Sequence, residues 1–345
     1  MHFCFLENEG SSYNFQIKNL DFFNKSTSAK FLHFFQQKSK FLHIYNLEEL
    51  KNNVVKEYKL EMNIDFKIPR WHRSITIPNG AIYLIGGVVT FNTNQEATSN
   101  SAYVYDYEAN TLNPIKPMNI PRSGHGVAYM NEKIYCVGGF TDENVSSVKC
   151  EKYHVLTNMW EEIADLNYEA NNACLCSFQN RFIYKFGGKQ GEKELNNYIE
   201  RYCPTENIWA IVHVKSEIKL NDFTLLSSSA CCQINKNQIF IFGGTFEDYS
   251  QKSNQSFLLE ILNQNDLSKS RILNEETSDV HIIKCINEKP LPFGEGFWNN
   301  NPIIFDSELY CLQNMPNKNN LNIVYNDRRR ILKFDYKGTW ISYGS

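Results

Sequence analysis

The string Ile-Tyr-Cys-Val-Gly-Gly at residues 134–139 is an apolar run that ends in two adjacent glycines. Nearly the same string occurs as IYLIGG at 82–87, IYKFGG at 183–188 and IFIFGG at 239–244. Glycine weakens a strand, but it permits positive φ and close backbone approach because it has no Cβ. Each string therefore predicts a buried strand followed by a crowded bend.

Aromatic residues recur at fixed distances behind two of these glycine pairs. Tyr153 and Tyr202 each lie 14 residues after the second glycine, and Trp160 and Trp209 each follow seven residues later. Rings of this size bury ~150–250 Å² each and suit the wedge between adjacent sheets. Weaker counterparts of the two aromatic residues occur in three other units: Tyr105 with Leu112 in the second, Phe334 with Trp340 in the last, and Tyr58 in the first. The fifth unit shows no counterpart.

The units recur about every 50 residues, and this combination of motif and period resembles the kelch repeat. With two weaker runs included, the second residue of each pair falls at Asn46, Gly87, Gly139, Gly188, Gly244 and Gln313, at spacings of 41, 52, 49, 56 and 69. The third and fourth units match the kelch pattern fully, the second and fifth in part, and the first and last by strand pattern only. The resemblance implies an all-β fold, a kelch-type β-propeller.

The blade count and the domain bounds follow from the repeat. Residues 28–345 divide into six four-stranded blades of 53 residues each on average. Residues 1–27 form an N-terminal segment that could add strands to the ring, so seven blades remain the alternative. The long spacing before the last unit indicates an insertion at residues 263–289, either a loop or a small strand pair.

Composition argues against several classes of partner and location. The formal net charge is −3, with 35 basic and 38 acidic residues, so no nucleic-acid or membrane partner is indicated. No run approaches the roughly 20 apolar residues of a membrane span, and the first ten residues lack the pattern of a secretory signal. A cytoplasmic protein is expected. The 10 cysteines lie mainly in apolar stretches without zinc-ligand spacing, which predicts core packing.

Catalytic and cofactor motifs are missing from the sequence. It contains no phosphate loop, zinc pattern or Gly-x-Ser-x-Gly elbow, and its eight histidines are scattered. We therefore predict a protein that is not an enzyme and uses no cofactor or metal. Some propellers that resemble kelch proteins are enzymes, such as galactose oxidase with its copper site, so a sugar-directed enzyme is the alternative from another class.

One constellation of basic residues is a candidate binding site. The strings IPRWHRS at 68–74 and IPRSGHG at 120–126 precede the second and third units. A 52-residue offset aligns Arg70 with Arg122 and Arg73 with His125. Together with Trp71, these side chains predict a patch that accepts carboxylates from a partner. In the alternative interpretation, the arginines pair with acids of nearby loops or cap backbone carbonyls.

The resemblance also implies a type of function. In BTB-kelch ubiquitin-ligase adaptors, arginines at the corresponding face hold acidic peptides. We expect an interaction module or scaffold that binds a protein partner, such as an acidic segment, through loops on one face. A substrate-recognition subunit of a ubiquitin ligase and a part of a cytoskeletal or organellar assembly are narrower versions of the same prediction.

Overall fold

The computed structural model describes most of the chain. The described residues are 3–4, 16–17, 30–91, 95–141, 145–191, 194–212, 226–246, 252–261, 283–287, 291–292, 301–306, 308–314, 329–334 and 340–343.

The secondary structure is almost entirely antiparallel sheet. The N-terminal strands β1 (Phe3–Cys4) and β2 (Gln16–Ile17) pair with each other. The first sheet holds β3 (Phe31–Phe35), β4 (Phe41–Asn46) and β5 (Glu57–Glu61), with helix α1 (Leu47–Lys51) between its last two strands. The second sheet holds β6 (Arg73–Thr76), β7 (Ile82–Ile85), β10 (Ala102–Asp106) and β11 (Thr111–Pro114); β8 (Val88–Thr90) and β9 (Glu96–Thr98) form a separate hairpin between β7 and β10.

Four further sheets repeat this design. The third is β12 (Gly126–Met130), β13 (Lys133–Val137), β14 (Cys150–His154) and β15 (Met159–Ile163). The fourth is β16 (Cys174–Phe178), β17 (Phe182–Phe186), β20 (Ile199–Cys203) and β21 (Ile208–Val212), with a small hairpin of β18 (Lys189–Gln190) and β19 (Glu194–Leu195). The fifth is β22 (Ala230–Gln233), β23 (Gln238–Phe242), β24 (Ser256–Ile261) and β25 (Ile283–Asn287), and the sixth is β26 (Ile303–Phe305), β27 (Glu308–Asn314), β28 (Arg329–Phe334) and β29 (Trp340–Tyr343).

Six such meanders are the blades of a six-bladed β-propeller, so the predicted fold class and blade number are confirmed. Five blades have four strands, and the first has three among the described residues. By backbone contacts the chain divides into two compact units, residues 124–298 and the remainder. Blades three to five lie in the first of these units and blades one, two and six in the other. The predicted boundary at residue 27 falls outside the described residues and stays a prediction.

The glycine pairs lie at crowded bends, as the sequence predicts. Gly138 has φ 60°, and a Cβ placed there would lie 2.1 Å from the carbonyl oxygen of Ala170. Gly188 has φ 94°, and its Cβ would lie 2.6 Å from the carbonyl oxygen of Asn171. The next residue after Gly138 also holds the following blade, because the Gly139 N–H donates to Ala170 O at 2.8 Å. A side chain at either glycine would displace backbone.

The register of the first blade corrects the predicted alignment. In blade three, Tyr153 faces Ile134, which lies four residues before the glycine pair. In blade one, Tyr45 faces Leu32, and Gln36-Gln37 follows at the same distance. The described strands of blade one are therefore counterparts of the second, third and fourth strands of the other blades.

This register makes two predicted equivalences wrong. Gln37 takes the place of the second glycine where Asn46 was predicted, and Tyr45 takes the place of the repeat tyrosine where Tyr58 was predicted. The Gln36 N–H donates to Phe41 O at 2.9 Å, as the Gly138 N–H donates to Lys149 O at 3.0 Å. The spacing from Gln37 to the next pair becomes 50 residues, which agrees better with the repeat.

The aromatic pairs meet directly across neighbouring strands. The ring centroids of Tyr153 and Trp160 lie 5.1 Å apart, and those of Tyr202 and Trp209 lie 5.2 Å apart. Trp209 also donates from Nε1 to Ala164 O of the preceding blade at 3.0 Å. The predicted wedge between blades three and four is therefore present, and Trp209 stabilises it by burial and by a hydrogen bond.

An asparagine five residues after each tyrosine was not recognised in the sequence. The hydroxyl groups of Tyr153 and Tyr202 donate to the Oδ1 atoms of Asn158 and Asn207 at 3.0 and 2.8 Å. Both asparagines have φ 53°, a backbone conformation that asparagine tolerates better than most residues. Asn207 Oδ1 also accepts the Ala164 N–H at 2.9 Å. This turn thus fixes its own blade to the preceding one.

The predicted insertion in the fifth unit lies between two strands of that blade. β24 ends at Ile261, and Ile283–Asn287 pairs with it as the fourth strand. Part of the predicted insertion at 263–289 is therefore the outer strand of blade five. Residues 262–282 lie outside the described residues.

Candidate interaction face

The predicted patch of basic side chains is buried. Arg70 and Arg73 are 5% and 8% exposed, Arg122 and His125 are fully buried, and Trp71 is half-buried. Four of these residues belong to one compact unit and His125 to the other. Of the five predicted partner-binding residues, only Trp71 has substantial solvent access.

Arg70 has its own structural role in blade two. Its guanidinium group forms an ion pair with Glu96 of β9, and it lies 4.9 Å from the ring centroid of Trp71. Its backbone forms a bridge to Val88, the residue after the glycine pair. Arg70 therefore fixes the β8–β9 hairpin and Trp71 in place, which agrees with the alternative interpretation that it pairs with a loop acid.

The predicted alignment of the two basic strings is shifted by one residue. Arg73 faces Ile85 and Gly126 faces Val137, and each partner lies directly before a glycine pair. The equivalent of Arg73 is therefore Gly126, and His125 corresponds to His72. The hairpin between the first two strands is one residue shorter in blade three than in blade two, so counting from the glycine pairs gave a wrong offset.

The loops after the glycine pairs start from a common base. The bridge of Arg70 with Val88 in blade two has equivalents in blades four and five, where Asn171 pairs with Lys189 and Ser227 pairs with Thr245. In each case the residue after the glycine pair is tied to the segment that leads into the first strand of the same blade. The base of these loops is therefore held by backbone hydrogen bonds, while the loop beyond it differs from blade to blade.

Three consecutive blades present a large apolar side chain on this loop. Phe91 in blade two is 54% exposed, Val145 in blade three 49% and Tyr198 in blade four 38%. Backbone hydrogen bonds position two of these residues, from the Phe91 N–H to Gln95 O at 2.8 Å and from the Thr141 N–H to Val145 O at 3.1 Å. Sequence reasoning missed these residues, although an apolar residue inside a polar loop, as in TFNTNQ (90–95), was a usable signal.

Tyr198 belongs to a stacked pair of tyrosines. Its ring lies parallel to that of Tyr168, with centroids 3.8 Å apart and an angle of 2° between the planes. A hydrogen bond with the Tyr198 side chain raises the pKa of the Tyr168 phenol above its ordinary value. We call Tyr168 and Tyr198 the tyrosine platform.

A buried ion pair lies beneath the tyrosine platform. Lys185 and Glu200 face each other on β17 and β20, are fully buried, and have their Nζ and Oε1 atoms 3.6 Å apart. Burial lowers the pKa of Lys185 to about 8, opposed by the charge of Glu200. Lys185 donates to Tyr198 O at 3.3 Å, and Glu200 accepts two bonds of 2.8 Å from Asn167. The pair thus positions both chain segments that carry the platform.

The described part of the chain shows no candidate metal site and no membrane-spanning helix. There, no group of three or more His, Cys, Asp or Glu side chains could hold a metal ion. The eight cysteines whose side chains the structure describes form no disulfide, and burial raises the pKa of the Cys231 and Cys311 thiols. No helix in the described ranges is long and apolar enough to cross a membrane.

The sheets, glycine bends and aromatic pairs define a class of protein, the kelch-repeat β-propellers. Residues 82–279, more than half of the chain, match the sequence model of the Attractin/LZTR1 beta-propeller. The chain belongs to this β-propeller family.

Curated relatives match about half of the chain. Kelch-like protein 25 of Xenopus tropicalis is 29% identical over 192 residues, which cover 53% of this chain and 30% of that protein. Alpha-scruin of Limulus polyphemus is 25% identical over 193 residues, covering 53% and 20%. Kelch-like protein 41a of Danio rerio is 31% identical over 169 residues, covering 48% and 26%. The match spans less than a third of each relative.

A solved structure confirms the architecture. The structure of YjhT superposes with a TM-score of 0.64 at 10% sequence identity, and the alignment covers 93% of this chain and 97% of that one. At this level of identity the likeness shows the fold alone.

Proposed function

We propose that this propeller is a protein-interaction module that binds a partner segment through the loops after its glycine pairs. The observation that carries the proposal is the exposed side chains on these loops, Phe91 in one compact unit and Val145 and Tyr198 in the other. Aromatic side chains such as Phe91 and Tyr198 are enriched in protein interfaces. Trp71, which Arg70 holds in place, is a further, half-buried aromatic side chain in the unit that contains Phe91.

The buried basic residues take a different place in this proposal. Arg73, Arg122 and His125 lack the solvent access that contact with a partner carboxylate requires, so we assign them to the scaffold. The proposal therefore does not depend on an acidic partner.

The module fits a role within a larger cytoplasmic assembly. The matched relatives are named as kelch-like proteins and a scruin, and the match covers only part of each. Seven of the eight cysteines whose side chains are described are buried thiols, which agrees with a reducing compartment. A substrate-recognition subunit of a ubiquitin ligase is the narrower form of the proposal, and a cytoskeletal scaffold is the other. Purified complexes would separate the two forms. Ubiquitin-ligase subunits in these complexes would support the first, and actin would support the second.

A capture experiment with matched variants tests the proposal. Tagged wild-type protein and a Phe91→Ser/Val145→Ser/Tyr198→Ser variant are used to capture partners from native cell lysate. The control is Leu156→Ser/Met159→Ser, which removes two exposed apolar side chains from the β14–β15 hairpin, 77% and 53% exposed.

The triple variant should lose the partners that wild type and control retain. Equal capture by the triple variant would exclude this face as the binding surface. Turnover of galactose by purified wild-type protein would instead contradict the assignment as a non-enzymatic module.

A further inference from the structure

The tyrosine platform on blade four has the geometry of a preformed binding surface. Tyr198 is 38% exposed, and its parallel stacking on Tyr168 covers one face of each ring and holds both rings in a fixed orientation. The backbone of both segments is fixed by the buried Lys185–Glu200 pair. Asn196 adds a further tie, because its amide donates to Glu169 O at 2.7 Å. A rigid aromatic surface loses little entropy when a ligand binds to it.

The charges around the platform indicate what it binds. The stretch EEIADLNYE at 161–169 contains four acids and no basic residue, and all four acids are exposed. Glu161 is already paired with Lys152, and Asp165 with Lys149. Among the described residues no ion pair reaches Glu162 or Glu169, which lies next to Tyr168 in the chain.

We propose that the tyrosine platform binds an arginine side chain of the partner segment. This inference rests on the proposed interaction function and specifies one chemical feature of the partner. A guanidinium group stacks on an aromatic face and at the same time donates paired hydrogen bonds to a carboxylate. The platform supplies the aromatic face, and Glu169, the residue after Tyr168 in the chain, supplies an exposed carboxylate. An acidic partner segment would be repelled here.

A peptide assay tests this assignment without knowledge of the partner. The probe is a fluorescein-labelled Gly-Ser-Arg-Gly-Ser-Arg-Gly-Ser peptide, compared with the same peptide carrying citrulline, which keeps the shape and removes the charge. Fluorescence polarisation with the protein of residues 1–345 should show weaker binding of the citrulline peptide. Tyr198→Ser should weaken binding of the arginine peptide about three- to tenfold, the range of a cation–π contact. Tyr198→Phe, which keeps the ring, and Leu156→Ser, the exposed control position, should bind it like wild type.

Two results would overturn the arginine assignment: equal binding of both peptides, or full binding by Tyr198→Ser with an unchanged melting temperature. These failures are distinct from failure of the proposed function. If the triple loop variant loses its partner but citrulline binds as well as arginine, only the arginine assignment is wrong. If the triple variant keeps its partner, the interaction face itself is wrong.

Discussion

Replacement of Gly138 by alanine isolates the steric role of the glycine pair. At φ 60° an alanine costs roughly 1–2 kcal/mol for the left-handed backbone alone. Its Cβ would also lie 2.1 Å from Ala170 O, the atom that accepts the Gly139 N–H. Shifting that carbonyl adds an overpacking cost of about 1–3 kcal/mol. The total expected loss of unfolding free energy is about 2–5 kcal/mol.

Gly191 provides the matched control in the same compact unit. It also has φ 60°, but nothing lies within 4 Å of a Cβ placed there. Gly191→Ala should therefore lose only the backbone cost of about 1–2 kcal/mol. Equilibrium urea unfolding followed by tryptophan fluorescence measures both variants. If the two alanine variants lose the same free energy of unfolding, the close approach at Gly138 does not constrain the fold, and the steric role of this glycine is excluded.

Three further predictions address the core. Trp160→Ala should lose about 3–5 kcal/mol of unfolding free energy, whereas Leu156→Ala in the same hairpin should change it by less than about 0.5 kcal/mol; equal thermal melts would contradict the placement of the tryptophan. Asn207→Ala should be less stable than Asn207→Gly by about 1 kcal/mol, because both lose the Tyr202 and Ala164 hydrogen bonds but only glycine accepts φ 53° without strain; chemical denaturation that ranks alanine first would refute this. Burial lowers the pKa of His33 from 6.5 to about 3. Between these pH values the unfolded chain binds a proton at His33 that the folded chain does not bind, so the fold loses stability as pH falls below 6.5. From pH 7 to pH 5 the wild type should lose about 2 kcal/mol more than His33→Gln, and an identical pH dependence of the two urea midpoints would show that His33 does not titrate in this way.

Local motifs made the blades of the third and fourth units predictable. The glycine pairs and the Tyr–Trp spacing reflect packing within one blade, so a single sequence is enough to detect them. The first unit was misaligned because Gln36-Gln37 replaces the glycine pair while KFLHIYN (40–46) imitates the apolar run that precedes one. Hydrophobicity alone does not distinguish the strand that precedes Gln36-Gln37 from the apolar run at 40–46.

The candidate site was less predictable than the fold. Arginine is rarely buried, so Arg70 and Arg122 were assigned to a surface patch, and only the structure shows the ion pair of Arg70 with Glu96. The exposed anchors depend on loop conformation, which the repeat does not specify. Tyr168 and Tyr198 are 30 residues apart in the chain and meet because two blades place their segments side by side.

Hydrogen–deuterium exchange of the protein with and without a captured partner shows which loops the partner covers. We expect the partner to slow exchange of backbone amides around Phe91, Val145 and Tyr198. Protection confined to the outer turns that hold Asn158 and Asn207, with the three loops unchanged, would contradict this expectation.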